Sequence, residues 1–332
     1  MSEITVKSTL RVVYELPQFT EIAPYLVYDP TKDLEKGVGT PDEATIEQLK
    51  NIGWSPESVV KGINTLKTAL DGGKAAIHYV YTEAEISAEP DKKCVNFVRL
   101  QPENIDPKKP WIVLCAGGAY VNVCSLAEGY PVAADFLARG YQVFVFTYRA
   151  GQKGVMPKAV ADLAACIRYI LAHAAEFEIE TEDYAVSGFS AGGNLVCTFG
   201  MENVGYKAYG LPKPKALFPV YAAVDLDGFD ASESARSFME NMLGRDYTAE
   251  DMQKYSVYRH IDANYPPCYL VCGKDDGLVP CENSEKVYEL LKAHGVPAVL
   301  EEGEHAPHGF GDGTGTDAAG WIGRAADFLQ KL

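Results

Sequence analysis

The chain has 332 residues, 47% of them hydrophobic, and a formal net charge of −16 at pH 7. That length and apolar content allow one sizeable core, and the acidic balance argues against nucleic acid or an anionic membrane surface as partner, since both select basic patches. No stretch reaches the run of about 18 apolar residues that a membrane-spanning helix needs, and the opening Met1-Ser2-Glu3-Ile4-Thr5-Val6-Lys7 lacks the basic-then-apolar pattern of a secretory leader, which predicts a cytoplasmic protein.

Residues 1–73 read as a helical amino-terminal extension. Thr40-Pro41-Asp42-Glu43 has the form of a helix start, with Thr as N-cap, Pro in the first turn and Glu closing a capping box. Ile46 and Leu49 follow as a short apolar stripe before Gly53. Ser55-Pro56-Glu57 opens a second helix, with Val59, Val60, Ile63, Leu66 and Leu70 at helical spacing and Gly72-Gly73 as its stop. This extension either packs against the rest or covers a pocket as a lid.

From residue 74 short apolar runs alternate with helical segments. Strands are predicted at 75–81, 94–100, 111–115, 142–148, 184–187, 216–220, 268–272 and 298–301, and helices at about 127–139, 157–176, 190–201, 282–294 and 317–331. The middle strands are continuous apolar runs, the pattern of a parallel sheet covered on both faces. The alternation predicts a doubly wound α/β domain over 74–332 with a mostly parallel central sheet. The first two strands have no evident helix between them, so that edge is expected to be antiparallel. An insertion at about 222–262, with short helices predicted at 232–243 and 248–255, follows the carboxyl end of a strand. That is the ligand side of such a sheet, so the insertion is either a cap over the pocket or a surface excursion.

Eight cysteines are present, several inside apolar runs such as Val113-Leu114-Cys115 and Leu270-Val271-Cys272. They read as small buried hydrophobes held as reduced thiols. Cys268 and Cys272 lack the CxxC pairing of a zinc site.

The chemistry starts at Gly188-Phe189-Ser190-Ala191-Gly192-Gly193. Tyr184-Ala185-Val186-Ser187 is a short strand and the residues after Ser190 have helical composition. Ser190 therefore stands at a strand-to-helix turn, where a serine hydroxyl is exposed as a nucleophile and a helix amino terminus offers N–H groups to an anion. An acyl-transfer serine also needs an oxyanion hole, a base and an acid. Trp111-Ile112-Val113-Leu114-Cys115 runs into Ala116-Gly117-Gly118-Ala119-Tyr120, where small residues let the backbone curl. The N–H of Gly118 or Ala119, with that of Ala191, is expected to bind the oxyanion.

Six histidines are candidates for the base. His78 and His173 fall in elements before the nucleophile and His294 ends a helix. His305 and His308 lie in the loop after the last strand, from which a base reaches the serine, and His308, followed by Gly309-Phe310-Gly311, is preferred. The strand ending at Cys272 leads into Gly273-Lys274-Asp275-Asp276-Gly277, and Asp276 is preferred to Asp275 as the acid that orients the imidazole.

With these residues in hand, the chain resembles the α/β-hydrolase superfamily, in particular the acetylesterase-like and hormone-sensitive-lipase-like carboxylesterases, over about residues 95–332. Cys115-Ala116-Gly117-Gly118-Ala119-Tyr120 is similar to the family's oxyanion block, with Ala116 where His or Pro is usual. Tyr148-Arg149 with Pro157 and Asp162, the elbow Gly188–Gly193, Gly273-x-x-Asp276-x-x-Val279-Pro280 and His308-Gly309-Phe310 follow in the family's order. The last two blocks settle Asp276 and His308.

The resemblance implies an α/β-hydrolase fold and a Ser190–His308–Asp276 acyl-enzyme mechanism with no metal or organic cofactor. It also implies a small-molecule or oligosaccharide ester as substrate, with a short acyl group, acetyl by preference. An amidase or peptidase of the same fold is the alternative, and a non-catalytic ligand-binding homologue is disfavoured because no triad member is missing. Self-association into a homo-oligomer is left open.

Overall fold

The computed structural model describes residues 3–30, 43–226 and 233–332. Its centre is an eight-stranded sheet: β1 (Ala75–Tyr79), β2 (Asn96–Leu100), β3 (Trp111–Cys115), β4 (Val143–Thr147), β5 (Tyr184–Phe189), β6 (Ala216–Val220), β7 (Cys268–Gly273) and β8 (Ala298–Gly303). The spatial order is β1-β2-β4-β3-β5-β6-β7-β8. β2 pairs antiparallel with both β1 and β4, and every other pairing is parallel. The eight strands fall where the apolar runs place them.

The antiparallel edge has the expected sense but a different connection. A six-residue helix, Glu83–Ala88, and a 3-10 turn, Pro90–Cys94, lie between β1 and β2. The helix buries no residue, so no apolar stripe marks it in the sequence. It is held instead by its cap: Thr82 Oγ1 accepts from Glu85 N–H and the Glu85 carboxylate accepts from Thr82 N–H.

Side chains alternate across each strand, and the two faces build separate cores. Trp111, Val113 and Cys115 face a core shared with Ala159, Leu163 and Ile167 of the helix Met156–Ala172 and with Leu195 and Phe199 of Ala191–Phe199. Ile112 and Leu114 face a second core with Phe136 of Tyr130–Ala138, Trp321 and Leu329 of Trp321–Lys331, and Val59, Ile63 and Leu66 of Pro56–Asp71. Val59, Ile63 and Leu66 are each fully buried; burial of such side chains stabilises by roughly 1.5–3 kcal/mol apiece. The amino-terminal helix is thus built into the same core as the sheet.

That helix begins as its sequence demands, with the Ser55 side chain accepting from Ser58 N–H and Pro56 in the first turn. The helix start read at Thr40-Pro41-Asp42 lies outside the described residues. The first described turn of this stretch is the 3-10 helix Ile46–Ile52, capped by Thr45 with Gln48 completing the box. In the insertion, the helices Glu233–Leu243 and Ala249–Tyr255 occur as expected, while Ser232 lies outside the described residues.

The expectation of uniformly reduced thiols is overturned at one pair. Cys272, near the end of β7, and Cys281, at the cap of the helix Glu282–Ala293, form a disulfide. The intervening loop folds back so that their Cα atoms stand 5.3 Å apart, inside the span a disulfide bridges. Nothing in the spacing of two cysteines nine apart distinguishes that fold-back from an open loop. The other six cysteines are free. Thiol titration in denaturant is expected to count six reactive groups before reduction and eight after it; eight at the outset would remove the disulfide. Among the described residues no helix is long and apolar enough to cross a membrane.

Candidate active site

Parallel strands leave their carboxyl ends on one edge, and ligands bind where the strand order reverses. Here that reversal falls between β3 and β5, since β4 lies on one side of β3 and β5 on the other. In the β3–β5 register Leu114 is opposite Ser187 and Cys115 opposite Gly188. The two strands therefore end level, and Ala116–Tyr120 and Ser190 emerge side by side.

Ser190 has φ 52° and ψ −117°, a left-handed φ that non-glycine residues rarely adopt. The surrounding backbone holds it there: Ser190 N–H donates to Val220 O at 3.0 Å, and Asn194 N–H donates to Ser190 O at 3.0 Å. Gly192 is needed for close approach, because a Cβ there would overlap Cys115 O and Ala116 O. The helix Ala191–Phe199 starts directly beneath the serine, leaving the N–H of Ala191 with no partner from within the helix.

The loop after β8 brings His308 to this serine. His308 Nε2 lies 2.9 Å from Ser190 Oγ and Nδ1 lies 2.7 Å from Asp276 Oδ2. The other Asp276 oxygen accepts from the N–H groups of Leu278 and Val279, both at 2.8 Å, and the side chain is fully buried. A carboxylate so held cannot rotate away from the imidazole. The adjacent Asp275 does different work: its Oδ1 accepts from Ala306 N–H at 2.7 Å, tying the acid loop to the base loop.

His305 is 85% exposed at its side chain against 18% for His308, and it faces Asp275 at 3.8 Å rather than the serine. His78 stacks on Phe97 and His173 on Tyr169, remote from the serine within the helix and sheet packing. Cys281 Sγ, Glu285 and Glu302 stand at metal-ligand spacing, but the sulfur is committed to Cys272.

The loop after β3 turns through φ 133° at Gly118, 53° at Ala119 and 58° at Tyr120. Among the described residues, the N–H groups of Gly118 and Ala119 donate to no protein group. The loop is pinned elsewhere. Tyr148 Oη donates to Ala116 O at 2.6 Å, Tyr120 Oη donates to Asn194 Oδ1 at 2.9 Å, and Asn241 Nδ2 donates to Ala119 O at 3.1 Å. Asn241 belongs to the helix Glu233–Leu243 of the insertion.

Three groups with a bearing on the site were not anticipated. Glu128 is a buried carboxylate whose Oε2 accepts from Gly117 N–H at 2.6 Å and whose Oε1 accepts from Tyr221 Oη at 3.0 Å. Tyr221, just past β6, packs its ring 4.8 Å from the His308 ring. Asp312, four residues past His308, accepts from Ser58 Oγ at 2.7 Å and Thr314 N–H at 3.0 Å. Lys61 Nζ lies 2.6 Å from its other oxygen and pairs an ammonium with the carboxylate. Burial pushes the Asp312 carboxyl up, but the Lys61 ammonium with the Thr314 and Ser58 donors outweighs it and holds the group below its ordinary value. Tyr148-Arg149 with Asp162 forms a buried structural pair, Arg149 Nη2 reaching Asp162 Oδ1 at 2.7 Å.

A mostly parallel sheet with helices on both faces, and a serine, a histidine and an aspartate joined at its carboxyl edge, define an α/β-hydrolase of the carboxylesterase-like class. The chain belongs to the BD-FAE family, whose profile matches residues 100–291. It is 25% identical over 238 residues to endo-1,4-beta-xylanase B of Butyrivibrio fibrisolvens, covering 69% of this chain and 37% of that one. It is 28% identical over 236 residues to an acetylxylan esterase of Xylanibacter ruminicola, covering 70% of this chain and 45% of that one. The chain therefore spans less than half the length of these curated relatives. Among solved structures, an acetyl ester-xyloside bifunctional hydrolase from Caldicellulosiruptor lactoaceticus shares the fold with a TM-score of 0.64 and 22% identity, over 77% of this chain and 96% of that one.

Proposed function

We propose that this chain is a serine carboxylesterase that removes short acyl groups, acetyl foremost, from carbohydrate esters through an acyl-enzyme on Ser190. The observation that carries this reading is the hydrogen-bonded line from Ser190 Oγ through His308 to Asp276. His308 Nε2 takes the hydroxyl proton as Ser190 Oγ attacks the ester carbonyl. Asp276 holds the imidazole with Nδ1 protonated and stabilises the imidazolium. The developing oxyanion is received by the N–H groups of Gly118, Ala119 and Ala191, which need no reorganisation to donate. Collapse breaks the ester C–O bond and the alcohol leaves with the proton from His308. Water, deprotonated by the same nitrogen, then attacks the acyl-enzyme, and the acid leaves as Ser190 is reprotonated.

The choice of an acetylated carbohydrate is supported by the acetylxylan esterase and xylanase named among the relatives. We assign residues 222–262 the role of a cap, supported by the bond from Asn241 to the oxyanion loop. We assign residues 1–73 a brace rather than a lid, supported by the Ser58 and Lys61 contacts to Asp312.

The test is covalent and competitive. A fluorophosphonate is expected to label the peptide containing Ser190 stoichiometrically, and acetylated xylo-oligosaccharides and p-nitrophenyl acetate are expected to turn over faster than aryl amides and p-nitrophenyl esters of long acids. Label on a different residue, or amides outrunning esters, would sink the proposal.

A further inference from the structure

We propose that Glu128 is a positioning residue for the ester hydrolysis assigned above: it fixes the oxyanion loop and the base loop to one buried anchor and sets a second negative charge behind His308. The inference rests on that functional reading, because it concerns the same serine and histidine.

Glu128 is in the one-turn helix Ser125–Glu128 and is buried. Burying a carboxylate costs several kcal/mol unless its oxygens are satisfied. Here both are, and each donor leads to the site. Gly117 N–H opens the loop that carries Gly118 and Ala119. Gly117 itself is wedged: a Cβ on it would stand 3.0 Å from the Glu128 carboxylate, 2.9 Å from Ser190 Cβ and 2.6 Å from Phe189 O. The glutamate and the nucleophile thus both close on the face of Gly117 where a side chain would stand.

The second donor, Tyr221 Oη, is a relay. It donates to Glu128 and accepts from Gly311 N–H at 3.1 Å, three residues past His308. Tyr221 holds φ 38°, a costly conformation for an aromatic residue, and its ring lies against His308 and, edge-on, against Phe310 at 4.6 Å. One carboxylate therefore fixes the oxyanion loop directly and the base loop through one tyrosine.

The titratable and charged groups around Glu128 are Tyr221, Tyr148, Cys124 and His308. Three are neutral at working pH, and burial pushes Tyr221, Tyr148 and Cys124 further from ionisation. Burial pushes the Glu128 carboxyl itself up, opposed by the Gly117 N–H, by His308 and by the Tyr221 hydroxyl. His308 gains a positive charge as the serine gives up its proton, and the ionised carboxylate behind it favours that charged form.

Glu128→Gln removes the charge while keeping an acceptor for Gly117 N–H. Tyr221→Phe keeps the ring and cuts the relay to Gly311. On p-nitrophenyl acetate, Glu128→Gln is expected to lower kcat by about 10- to 100-fold with KM within about threefold, since small misplacements of reacting groups cost on that order. The acid limb of its pH–rate profile is expected to move to lower pH. Tyr221→Phe is expected to lower kcat by about tenfold with less movement of the acid limb. A merely structural glutamate would reduce the folded fraction but leave the pH profile of the folded enzyme in place. If Glu128→Gln does not fold, the kcat of Tyr221→Phe decides. Folded variants with kcat within twofold and an unshifted profile overturn the inference. Wild-type protein that neither hydrolyses esters nor labels at Ser190 overturns the functional reading instead, so the two failures are distinct.

Discussion

His308→Ala is expected to lower kcat/KM on acetyl esters by about ten-thousandfold or more, while His305→Ala stays within about twofold of the parent. The two histidines sit three apart in one loop, but only His308 reaches Ser190 Oγ, at 2.9 Å. Without it the serine has no base, and the residue of activity comes from oxyanion binding and substrate positioning alone; members of such triads act as a unit, so loss of the base approaches loss of the nucleophile. Asp276→Asn tests the same line from its far end. Its Oδ1 accepts from Leu278 and Val279 N–H, so an asparagine is steered to keep its oxygen there and turn its amide NH2 toward His308 Nδ1. That donor stabilises the tautomer with the proton on Nε2, which cannot accept from serine. A loss of about ten-thousandfold in kcat with the fold intact is the expected reading from steady-state kinetics and circular dichroism. Equal losses for His305→Ala and His308→Ala would remove the assignment.

The second large effect is on stability. Asp312→Ala is expected to cost about 2–4 kcal/mol in urea unfolding, because it leaves the buried Ser58 hydroxyl and the Thr314 N–H without an acceptor and removes a partner of Lys61. Lys61 keeps Asp135 at 2.9 Å and is partly exposed, which holds the cost below that of stranding a fully buried charge. The pH dependence has a definite sign. The Asp312 carboxyl is depressed in the folded state, so its contribution is complete above the unfolded carboxylate value near 4 and disappears as pH falls through the lower folded value. Asp312→Asn has no such group to titrate. The stability gap between parent and Asp312→Asn is therefore expected at neutral pH and to close in acid below about pH 4. A gap that is constant from pH 7 to pH 2 would show that charge has no part in it.

The sheet and the candidate site residues were legible because each depends on short-range pattern. The apolar runs give strands that no exposed element would carry, and Ser190, Asp276 and His308 fall at strand ends flagged by glycine. Glu128 and Asp312 were not legible for the opposite reason. Glu128 falls at the start of the helix predicted at about 127–139, where nothing local marks it as buried, and nothing in Gly311-Asp312-Gly313 marks that aspartate. Each becomes buried only because distant residues supply its partners: Gly117 and Tyr221 for one, Ser58 and Lys61 for the other. A buried acid at the carboxyl edge is thus invisible until tertiary contacts exist. The Cys272–Cys281 bridge is hidden in the same way, since it depends on the fold-back of the loop that also presents Asp276.

The partnership of Ser58 with Asp312 spans 254 positions, and that distance sets an order of events. Closing so long a loop has an entropic cost that local contacts do not meet, so the bond can form only once the sheet between its ends has already gathered them. As the chain grows on a ribosome, the helix Pro56–Asp71 waits through β1 to β8 before its partner is made. The clamp is then a late contact, largely absent from the folding transition state. Weakening it should hasten unfolding far more than it slows folding, so its presence lengthens the lifetime of the assembled fold rather than guiding its birth.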